Sequence, residues 1–319
     1  MMKDLVVVLL LNYNQNDYTL KCIESLLESE YENFKIMLID NGSTPENADQ
    51  LEKNLPVDNK LLYHRIVDNI GYGKGSNFGL NKGLELDPKY YLIMNNDTII
   101  DKYAISEMVK TSKEFNDKAL VTGKVYHYDK PEVLQFVGFK CINKRSLSFI
   151  RMGVDEKDEG QYDKVVESDM IDDIFVLHSV DIYKEIGGYS PYFWINGVNI
   201  DRALRAMEKG FKLIYTPKAI LWHKGSVSIG GRNKNPKIAF WNIQSKLMIR
   251  YLHLNRARFV ESYLRIFFSD VMRTYIKSKY LKLFKGVDIT AYANNKLRAV
   301  FYFNRWMVKK NHNTGFCPK

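Results

Sequence analysis

The sequence predicts an α/β protein built on a mostly parallel sheet with helices on both faces. Short apolar, β-branched runs recur along the chain, as expected of strands that are buried on both faces. Segments with apolar residues at helical spacing alternate with these runs. Polar clusters follow several runs, at the positions where open α/β sheets bind ligands.

The predicted elements follow in a regular order over the first 125 residues. A strand at residues 5–11 is followed by a helix whose apolar face carries Leu20, Ile23, Leu26 and Leu27. Further strands are predicted at residues 35–40, 61–67, 90–94, 212–215 and 219–222. A glycine-rich loop at residues 69–75 leads into a helix that ends near residue 86, and residues 127–168 are less regular. From residue 236 onward the pattern is helical.

Length and composition exclude several classes of protein. The chain has 319 residues, of which 45% are hydrophobic and 26% charged, so it can bury a core and is not disordered. No stretch approaches the roughly 20 apolar residues of a membrane span, and residues 5–11 lack the flanks of a signal peptide. Cys22, Cys141 and Cys317 are too widely separated for a metal-binding spacing or a disulfide framework. We therefore expect a cytoplasmic protein with reduced cysteines.

The charge is unevenly distributed along the chain. The net charge is +10, but residues 232–310 hold 18 Lys and Arg against 3 Asp and Glu, whereas residues 1–231 hold 28 against 34. A basic C-terminal segment after a mildly acidic body indicates an anionic partner, either membrane headgroups or nucleic acid. Nucleic acid is disfavoured, because the basic residues accompany no recognisable recognition module.

Two polar clusters follow predicted strands. In residues 40–43 (DNGS), Asp40 can accept hydrogen bonds from a base or a ribose, and Gly42 permits a tight turn. In residues 95–98 (NNDT), a carboxylate flanked by amides can hold a divalent metal that bridges phosphate oxygens. Taken alone, each cluster is also typical of an ordinary turn.

Two further features are candidates for phosphate or metal binding. The glycine-rich residues 69–79 open a predicted helix, where backbone amides together with Lys74 suit a diphosphate. Their spacing is neither that of a Walker A loop nor that of the dinucleotide fingerprint. His223 follows the last predicted strand and can bind a metal or donate to a phosphate, although an isolated histidine is more often structural.

Taken in order, these motifs resemble those of family 2 glycosyltransferases of the GT-A fold. The ordered set is residues 12–14 (NYN), 40–43 (DNGS), 69–73 (NIGYG), 95–98 (NNDT) and 222–228 (WHKGSVS). Within that family the sequence looks most like the bacterial rhamnosyltransferase-like branch. Residues 155–163 (DEKDEGQYD) and 186–189 (IGGY) support this finer assignment. The resemblance spans about residues 4–250.

The resemblance implies a role for each motif. The residues expected to bind or border the nucleotide are Asn12, Tyr13, Asn14, Asp40, Gly42, Asn69, Gly71, Lys74 and Asn96. Asp97 is expected to hold Mn²⁺ or Mg²⁺ across the diphosphate, with His223 as a second protein ligand. A metal ion stabilises the charge on the departing nucleoside diphosphate without proton transfer. Enzymes of this kind invert the anomeric carbon and use one carboxylate to deprotonate the acceptor hydroxyl.

The expected catalytic base departs from the family pattern. The family places Glu-Asp-x-Asp before an Arg-containing helix, and the matching residues here are 198–201 (VNID). The base position is therefore Asn199, whose neutral amide cannot take a proton. Four explanations are open: an engineered change that traps a substrate complex, Asp201 as base, Asp172 or Asp173 as base because paired carboxylates can raise one pKa, or a non-catalytic relative. The first residue of the quartet also departs, which trapping does not explain.

The C-terminal segment allows two interpretations. Val260, Leu264, Phe267, Val271 and Tyr275 recur at helical spacing among arginines and lysines. A basic amphipathic helix suits an anionic membrane surface. Alternatively, the apolar face packs on the catalytic body and the basic face is solvated.

These inferences predict a GT-A catalytic domain over residues 1–235, with a nucleotide-binding half (1–125) and an acceptor half (126–235). A basic helical region follows over residues 236–319. By resemblance, the chain transfers rhamnose or another hexose from dTDP-rhamnose or a UDP-hexose. The expected acceptor is a hydroxyl of a lipid-linked bacterial surface polysaccharide at the inner face of the cell membrane. The alternative is a non-catalytic sugar-nucleotide-binding subunit, which Asn199 favours.

Overall fold

The computed structural model describes residues 3–225, 236–285 and 288–309. Residues 226–228 of the last family motif, and Cys317, lie outside the described residues. The described part confirms the predicted α/β fold, with a mostly parallel sheet, helices on both faces and helices at the C-terminal end.

One large sheet runs through the protein. Its central path has the order β10-β12-β6-β11-β4-β1-β2-β3, with β5 added on β12 and β7 on β6, while β8 and β9 form a separate hairpin. The strands are β1 Val6–Asn12, β2 Phe34–Asn41, β3 Leu61–Ile66, β4 Tyr90–Met94, β5 Thr98–Ile100, β6 Ala119–His127, β7 Lys130–Phe136, β8 Phe139–Asn143, β9 Ser148–Arg151, β10 Val166–Glu167, β11 Phe175–Ser179 and β12 Lys212–His223.

The strand directions place the ligand-binding edge of the sheet. Strands β1 to β4 pair in parallel in the order 3-2-1-4, and β11 lies antiparallel between β4 and β6. The strand order reverses at β1, beside β4, and such a reversal opens a crevice at the carboxyl ends of the strands. The apolar run of β4 is buried throughout, and that of β1 is buried except for half-buried Leu11, as predicted for strands covered on both faces.

The helices cover the sheet and then form a C-terminal layer. They are α1 Asn16–Leu27, α2 Pro45–Asn54, α3 Tyr72–Leu84, α4 Ala104–Glu114, α5 Val180–Ile186, α6 Val198–Glu208, α7 Lys237–His253, α8 Arg256–Ile266, α9 Arg273–Lys285 and α10 Thr290–Lys309. A π-helical turn, Phe267–Met272, joins α8 to α9.

Helix α3 begins earlier than predicted, at Tyr72, so that part of the expected glycine loop is helical. Gly75, Gly79 and Gly83 recur every four residues on the face that meets β1, β2 and β4. A Cβ on Gly79 would lie 2.3 Å from a methyl carbon of Leu9, and one on Gly83 would lie 2.9 Å from the Tyr91 ring. These glycines therefore let the helix approach the sheet closely, a packing role that the phosphate-loop interpretation did not include.

The region predicted to be irregular is held together by a buried lysine. Lys124 on β6 is 4% exposed, and its Nζ donates to Asp158 and Asp163, each at 2.7 Å. Tyr126 also donates to Asp158. Through these hydrogen bonds the acidic segment 155–163 holds the β7–β10 region against the sheet. Strand β6 runs without interruption across the predicted boundary between the two halves.

The last two predicted strands are one strand in the structure. Strand β12 continues from Lys212 to His223, with an irregular register between Tyr215 and Ile220. Pro217 lies inside this interval and cannot donate to a neighbouring strand. The sequence pattern predicts two separate strands here, whereas the chain accommodates the interval between them as a bulge.

The C-terminal helices form part of the main core. Phe240, Ile243 and Leu247 of α7 are fully buried, and α10 packs on α7 with Phe303 and Trp306 nearly buried. No helix among the described residues is long and apolar enough to cross a membrane.

The predicted apolar face of the C-terminal segment divides in two. Val271 is fully buried, and the Phe267 ring stacks on Tyr263, while Val260 and Leu264 are exposed. Residues 260–275 therefore do not share one face, because the π-helical turn changes the helical period between them.

Candidate active site

Three strand ends are joined by a buried network of polar side chains. Asn12 Nδ2 donates to Asp40 Oδ2 at 3.1 Å, and Asn96 Nδ2 donates to Thr19 Oγ1 at 2.7 Å. Thr19 in turn donates to Asn12 Oδ1 at 2.9 Å. Asp40 is fully buried, and its second oxygen accepts from the Ser43 backbone amide. The predicted residues Asn12, Asp40 and Asn96 are thus brought together, and they fix the ends of β1, β2 and β4.

Tyr13 and Asn14 lie where the chain leaves this network. Tyr13 is exposed. Asn14 has φ 55° and accepts a hydrogen bond from the Thr44 amide at 2.9 Å. The Tyr13 ring is therefore exposed where the chain leaves the network.

The Gly42 turn and the segment before α3 are in close contact. Gly42 has φ 78°, and a Cβ there would lie 2.1 Å from the Asn69 backbone nitrogen. Asn69 Oδ1 accepts from the Gly71 amide at 2.9 Å. A Cβ on Gly71 would meet the Trp194 ring at 2.9 Å, and Lys74 is exposed in the first turn of α3. These predicted residues therefore border the same crevice.

The two predicted metal ligands, Asp97 and His223, lie 126 residues apart in sequence and meet in the structure. Asp97 Oδ1 is 3.3 Å from His223 Nε2, and both side chains are nearly buried. Asp97 Oδ2 accepts from the Gly225 amide at 3.1 Å. The antiparallel pairing of β5 with β12 places Thr98 opposite His223 and so produces this contact.

Gln135 fixes the tautomer of His223. Its Oε1 lies 2.6 Å from His223 Nδ1, while its Nε2 donates to the His223 carbonyl at 3.4 Å. This pattern assigns the ring proton to Nδ1 and leaves a lone pair on Nε2. Asn95 Nδ2 lies 3.2 Å from the same nitrogen. His223 Nε2 and Asp97 Oδ1 are therefore two acceptors in direct proximity.

This pair of acceptors fits a divalent cation. Neighbouring ligands in an octahedral shell with bonds of roughly 2.1 Å lie about 3.0 Å apart, close to the observed 3.3 Å. Within the described residues, no group of three His, Cys, Asp or Glu side chains could hold a metal. Two protein ligands suit Mg²⁺ or Mn²⁺, whose remaining positions are filled by phosphate and water.

Asn199 and Asp201 both lie in the first turn of α6 but in different environments. Asn199 is half-buried. Asp201 is 1% exposed and accepts from Ser190 Oγ at 2.6 Å, Arg205 Nε at 3.0 Å and His253 Nε2 at 3.0 Å. Burial acts to raise the pKa of Asp201, but the hydrogen bond from His253 and the Arg205 charge outweigh it and lower the pKa. Asp201 is thus held as a carboxylate by three donors.

Asp173 lies beside the end of β4. The Asn95 amide donates to the Ile174 carbonyl at 3.1 Å, so Asp173 is next to the strand end that carries Asp97. One Asp173 oxygen accepts from buried Arg202, while Oδ2 is buried and makes no hydrogen bond of good geometry among the described residues. Burial raises the pKa of Asp173, Arg202 opposes the rise and Asp172 adds to it. The neighbouring Tyr189 hydroxyl acts to lower the pKa of Asp173. Asp172 itself pairs with Arg151 at 2.7 Å.

Several residues of the site had not been singled out from the sequence. Thr19, Gln135, Arg202 and His253 each belong to no motif, and each contacts a predicted residue only because the fold brings distant segments together. The signal available for them was weak: polar or charged residues within otherwise apolar elements.

Residues 7–162 match the model of the protein family described as Glycosyl transferase family 2. This segment, just under half of the chain, is similar to family 2 glycosyltransferase domains. The described C-terminal helices and the Asp97–His223 contact extend beyond it, since His223 lies outside the matched segment.

The curated relatives of this chain are distant. Over 133 residues the chain is 27% identical to "Glycosyltransferase GlyG" of Streptococcus pneumoniae serotype 4, covering 41% of this chain and 42% of that protein. Over 226 residues it is 22% identical to "Poly-beta-1,6-N-acetyl-D-glucosamine synthase" of Staphylococcus aureus strain MSSA476, covering 71% and 51%. The chain thus spans about half, or less, of the length of these relatives.

A solved structure shares the fold along nearly the whole chain. It is described as GalNAc-T7 with UDP, GalNAc and Mn²⁺, and it superposes with a TM-score of 0.63. The match covers 97% of this chain and 58% of that one at 12% sequence identity. This likeness supports the GT-A fold that the family resemblance implied.

Proposed function

We propose that this chain is a metal-dependent, inverting glycosyltransferase. It moves a sugar from a nucleotide donor to a hydroxyl group of a glycan. The single observation that carries the proposal is the contact of Asp97 with His223 Nε2 at the carboxyl ends of the strands, beside the Asn12–Asp40–Asn96 network.

The donor is proposed to bind across this edge. Tyr13 would pack on the base, the segment from Asn69 to Lys74 would border the nucleotide, and Asp97 with His223 would hold Mn²⁺ or Mg²⁺ at the diphosphate. Bound there, the cation supplies the positive charge that stabilises the departing diphosphate. UDP and Mn²⁺ in the structural neighbour support a nucleotide donor and a divalent metal.

Asp173 is the carboxylate that we propose as base. Its Oδ2 makes no hydrogen bond of good geometry among the described residues, and its pKa is raised, which brings it closer to the operating pH of a general base. Asp201 is proposed instead to position the first turn of α6, since three donors occupy it. This division of roles provides a base although Asn199 cannot serve as one.

The proposed donor is dTDP-rhamnose or a UDP-hexose, and the proposed acceptor is a lipid-linked bacterial polysaccharide at the inner face of the cell membrane. The rhamnosyl donor rests on the sequence motifs 155–163 and 186–189. A polysaccharide product is in keeping with the name of the polysaccharide synthase among the relatives, while the lipid linkage rests on the family resemblance alone. The competing function, a sugar-nucleotide-binding subunit without turnover, is favoured by Asn199 alone.

The metal assignment is tested by Asp97→Ala. We expect Mn²⁺-dependent affinity for UDP or dTDP, measured by calorimetry, to fall at least about 100-fold, because one of two protein ligands is lost. Asp129→Ala is the matched control: this exposed aspartate pairs with Lys224, next to His223, and belongs to no donor set. Equal affinity and metal dependence in the Asp97 variant and the native chain would refute the assignment.

The same preparations separate an enzyme from a binding subunit. Nucleoside diphosphate release is measured from dTDP-, UDP- and GDP-sugars with a cell-envelope lipid extract as acceptor. Release by the native chain supports the enzyme. Tight metal-dependent binding, with no release by either the native chain or its Asn199→Asp variant, would instead support the binding subunit.

A further inference from the structure

Helix α8, the π-helical turn and helix α9 form one continuous helical rod over residues 256–285. One side of the rod faces the protein: Ile266, Val271 and Ser278 are buried there. Asp270, in the π-helical turn, accepts from Lys246 of α7 and Lys296 of α10. The rod is therefore attached to the helical layer along its inner side.

The outer side of the rod is apolar. We call this surface the outer face; its side chains are Val260, Leu264, Phe268, Ile276, Tyr280 and Phe284, and they are 47% to 66% exposed. They recur at intervals of four residues or multiples of four. The π-helical turn fits more residues into each turn than an α-helix does, and this keeps the later members near the direction of the earlier ones. Large apolar side chains that recur in this way on one exposed face mark an interaction surface.

Basic side chains accompany the outer face. Residues 256–285 contain eight Lys and Arg and only two acidic residues, Glu261 and Asp270. Both acids are already paired, Glu261 with Arg265 at 2.7 Å and Asp270 with lysines of α7 and α10. Arg273, Lys277, Lys279 and other bases of the rod are exposed. The surface thus combines unneutralised positive charge with exposed apolar groups.

We infer that the outer face docks on an anionic lipid bilayer, with its apolar side chains at the boundary between headgroups and acyl chains. A basic, amphipathic helix binds such a surface through apolar burial and attraction to anionic lipid together. If two copies of the chain met through this face, their like positive charges would repel each other. A nucleic acid would meet the charges but would leave aliphatic side chains such as Val260 and Ile276 uncovered. The inference stands independently of the proposed transfer reaction, because docking is measured without turnover.

The charge component is tested by co-sedimentation with phosphatidylcholine vesicles, with and without phosphatidylglycerol. We expect the full chain to bind the anionic vesicles and not the neutral ones. The triple variant Lys277→Glu, Lys279→Glu, Lys285→Glu should bind them at least about 100-fold more weakly, since each basic residue near the surface contributes roughly a fivefold effect. The triple control Lys53→Glu, Lys118→Glu, Lys184→Glu changes exposed lysines elsewhere by the same charge and should retain binding.

The apolar component is tested in the same assay by Phe268→Ser with Phe284→Ser. Binding should fall on the order of 10-fold or more, because both rings are buried on docking. The control is Val57→Ser with Val67→Ser, two exposed apolar residues remote in sequence from the rod. Equal losses in rod and control variants, or no binding to anionic vesicles, would overturn the inference. So would tighter salt-dependent binding to duplex DNA, or self-association that the phenylalanine variants abolish.

Discussion

At the residue scale, two aspartates of similar burial have opposite electrostatic environments. Asp201 accepts from three donors and its pKa is lowered. Asp173 keeps one oxygen without a hydrogen bond of good geometry among the described residues, and burial raises its pKa. A carboxylate already stabilised by donors is a weak base, whereas one destabilised by burial gains by taking a proton. The contrast favours Asp173 as the group that receives the acceptor proton.

Asp173→Asn should therefore lower nucleoside diphosphate release at least about 100-fold while nucleotide affinity is retained. In the native chain, release should rise with pH through the raised pKa of Asp173, because only the ionised form accepts a proton. Asp172→Asn is the matched comparison: it should retain release at high pH but shift the profile to lower pH, because the Asp172 charge raises the pKa of Asp173. Identical pH–rate profiles for Asp173→Asn and the native chain would exclude Asp173 as the base.

The sequence predicted which residues belong to the site better than it predicted their hydrogen-bond and ion-pair partners. Asp97 and His223 could be paired in advance because each belongs to an ordered motif, and they are in contact. The position of the Gln135 amide, which sets the His223 tautomer, depends on the pairing of β7 with β6 and had no local signal. The sequence pattern indicates only that Arg202 lies in a helix. Its ion pair with Asp173 depends on the tertiary fold.

At the element scale, His253 joins the end of α7 to the first turn of α6. Its Nε2 lies 3.0 Å from Asp201 and its Nδ1 lies 2.8 Å from Glu208. Burial acts to lower the pKa of His253, but the hydrogen bonds to these two carboxylates raise it above its ordinary 6.5. The imidazolium form therefore links the C-terminal layer to the helix that carries Asn199.

This link predicts a pH-dependent stability. A histidine whose pKa is raised on folding stabilises the fold fully below its ordinary pKa, and this contribution is lost as the pH rises through the folded pKa. Denaturant unfolding should show lower stability at about pH 9 than at about pH 6, by roughly 1.4 kcal/mol for each unit by which the pKa is raised. His253→Gln should flatten this dependence, while His64→Gln, which changes a half-buried histidine elsewhere, should retain it. An unchanged slope in His253→Gln would contradict the link.

Elements with a clear local sequence pattern were predicted well, whereas elements whose formation depends on tertiary contacts were not. Strand β4 was predicted at its observed bounds, because it is short, apolar and bounded by polar residues. The start of α3 was placed too late, because glycine is a poor helix former and its packing against Leu9 and Tyr91 is not visible locally. The short strands between residues 127 and 168 lie in the region that is held to the sheet by the hydrogen bonds of Lys124 with Asp158 and Asp163.

At the scale of the whole molecule, the C-terminal helices contribute to the same core as the sheet. Phe240, Ile243 and Leu247 of α7 belong to that core and are fully buried. The Asn196 side chain donates to Asn242 of α7 at 2.6 Å, and Gln244 donates to the Tyr192 carbonyl at 3.3 Å. The loop that carries Trp194 to the start of α3 is thus held by α7.

A chain that ends at residue 235 should therefore fail to fold stably. Burying three large apolar side chains contributes roughly 5 kcal/mol or more, which is comparable with the whole stability of many domains. Thermal unfolding followed by circular dichroism should show no cooperative transition for this truncation. A chain that ends at residue 309 is the control and should melt like the full chain. A cooperative transition at the same temperature in both would show that the first 235 residues fold independently.

The π-helical turn at Phe267–Met272 has a consequence for the geometry of the rod. If the same six residues had an α-helical period instead, everything beyond the turn would be rotated by about 100° relative to α8. Val260 and Leu264 would then point in one direction and Tyr280 and Phe284 in another. No flat surface could touch both pairs at once, so an α-helical turn of the same length would convert a single broad contact into two separate narrow ones.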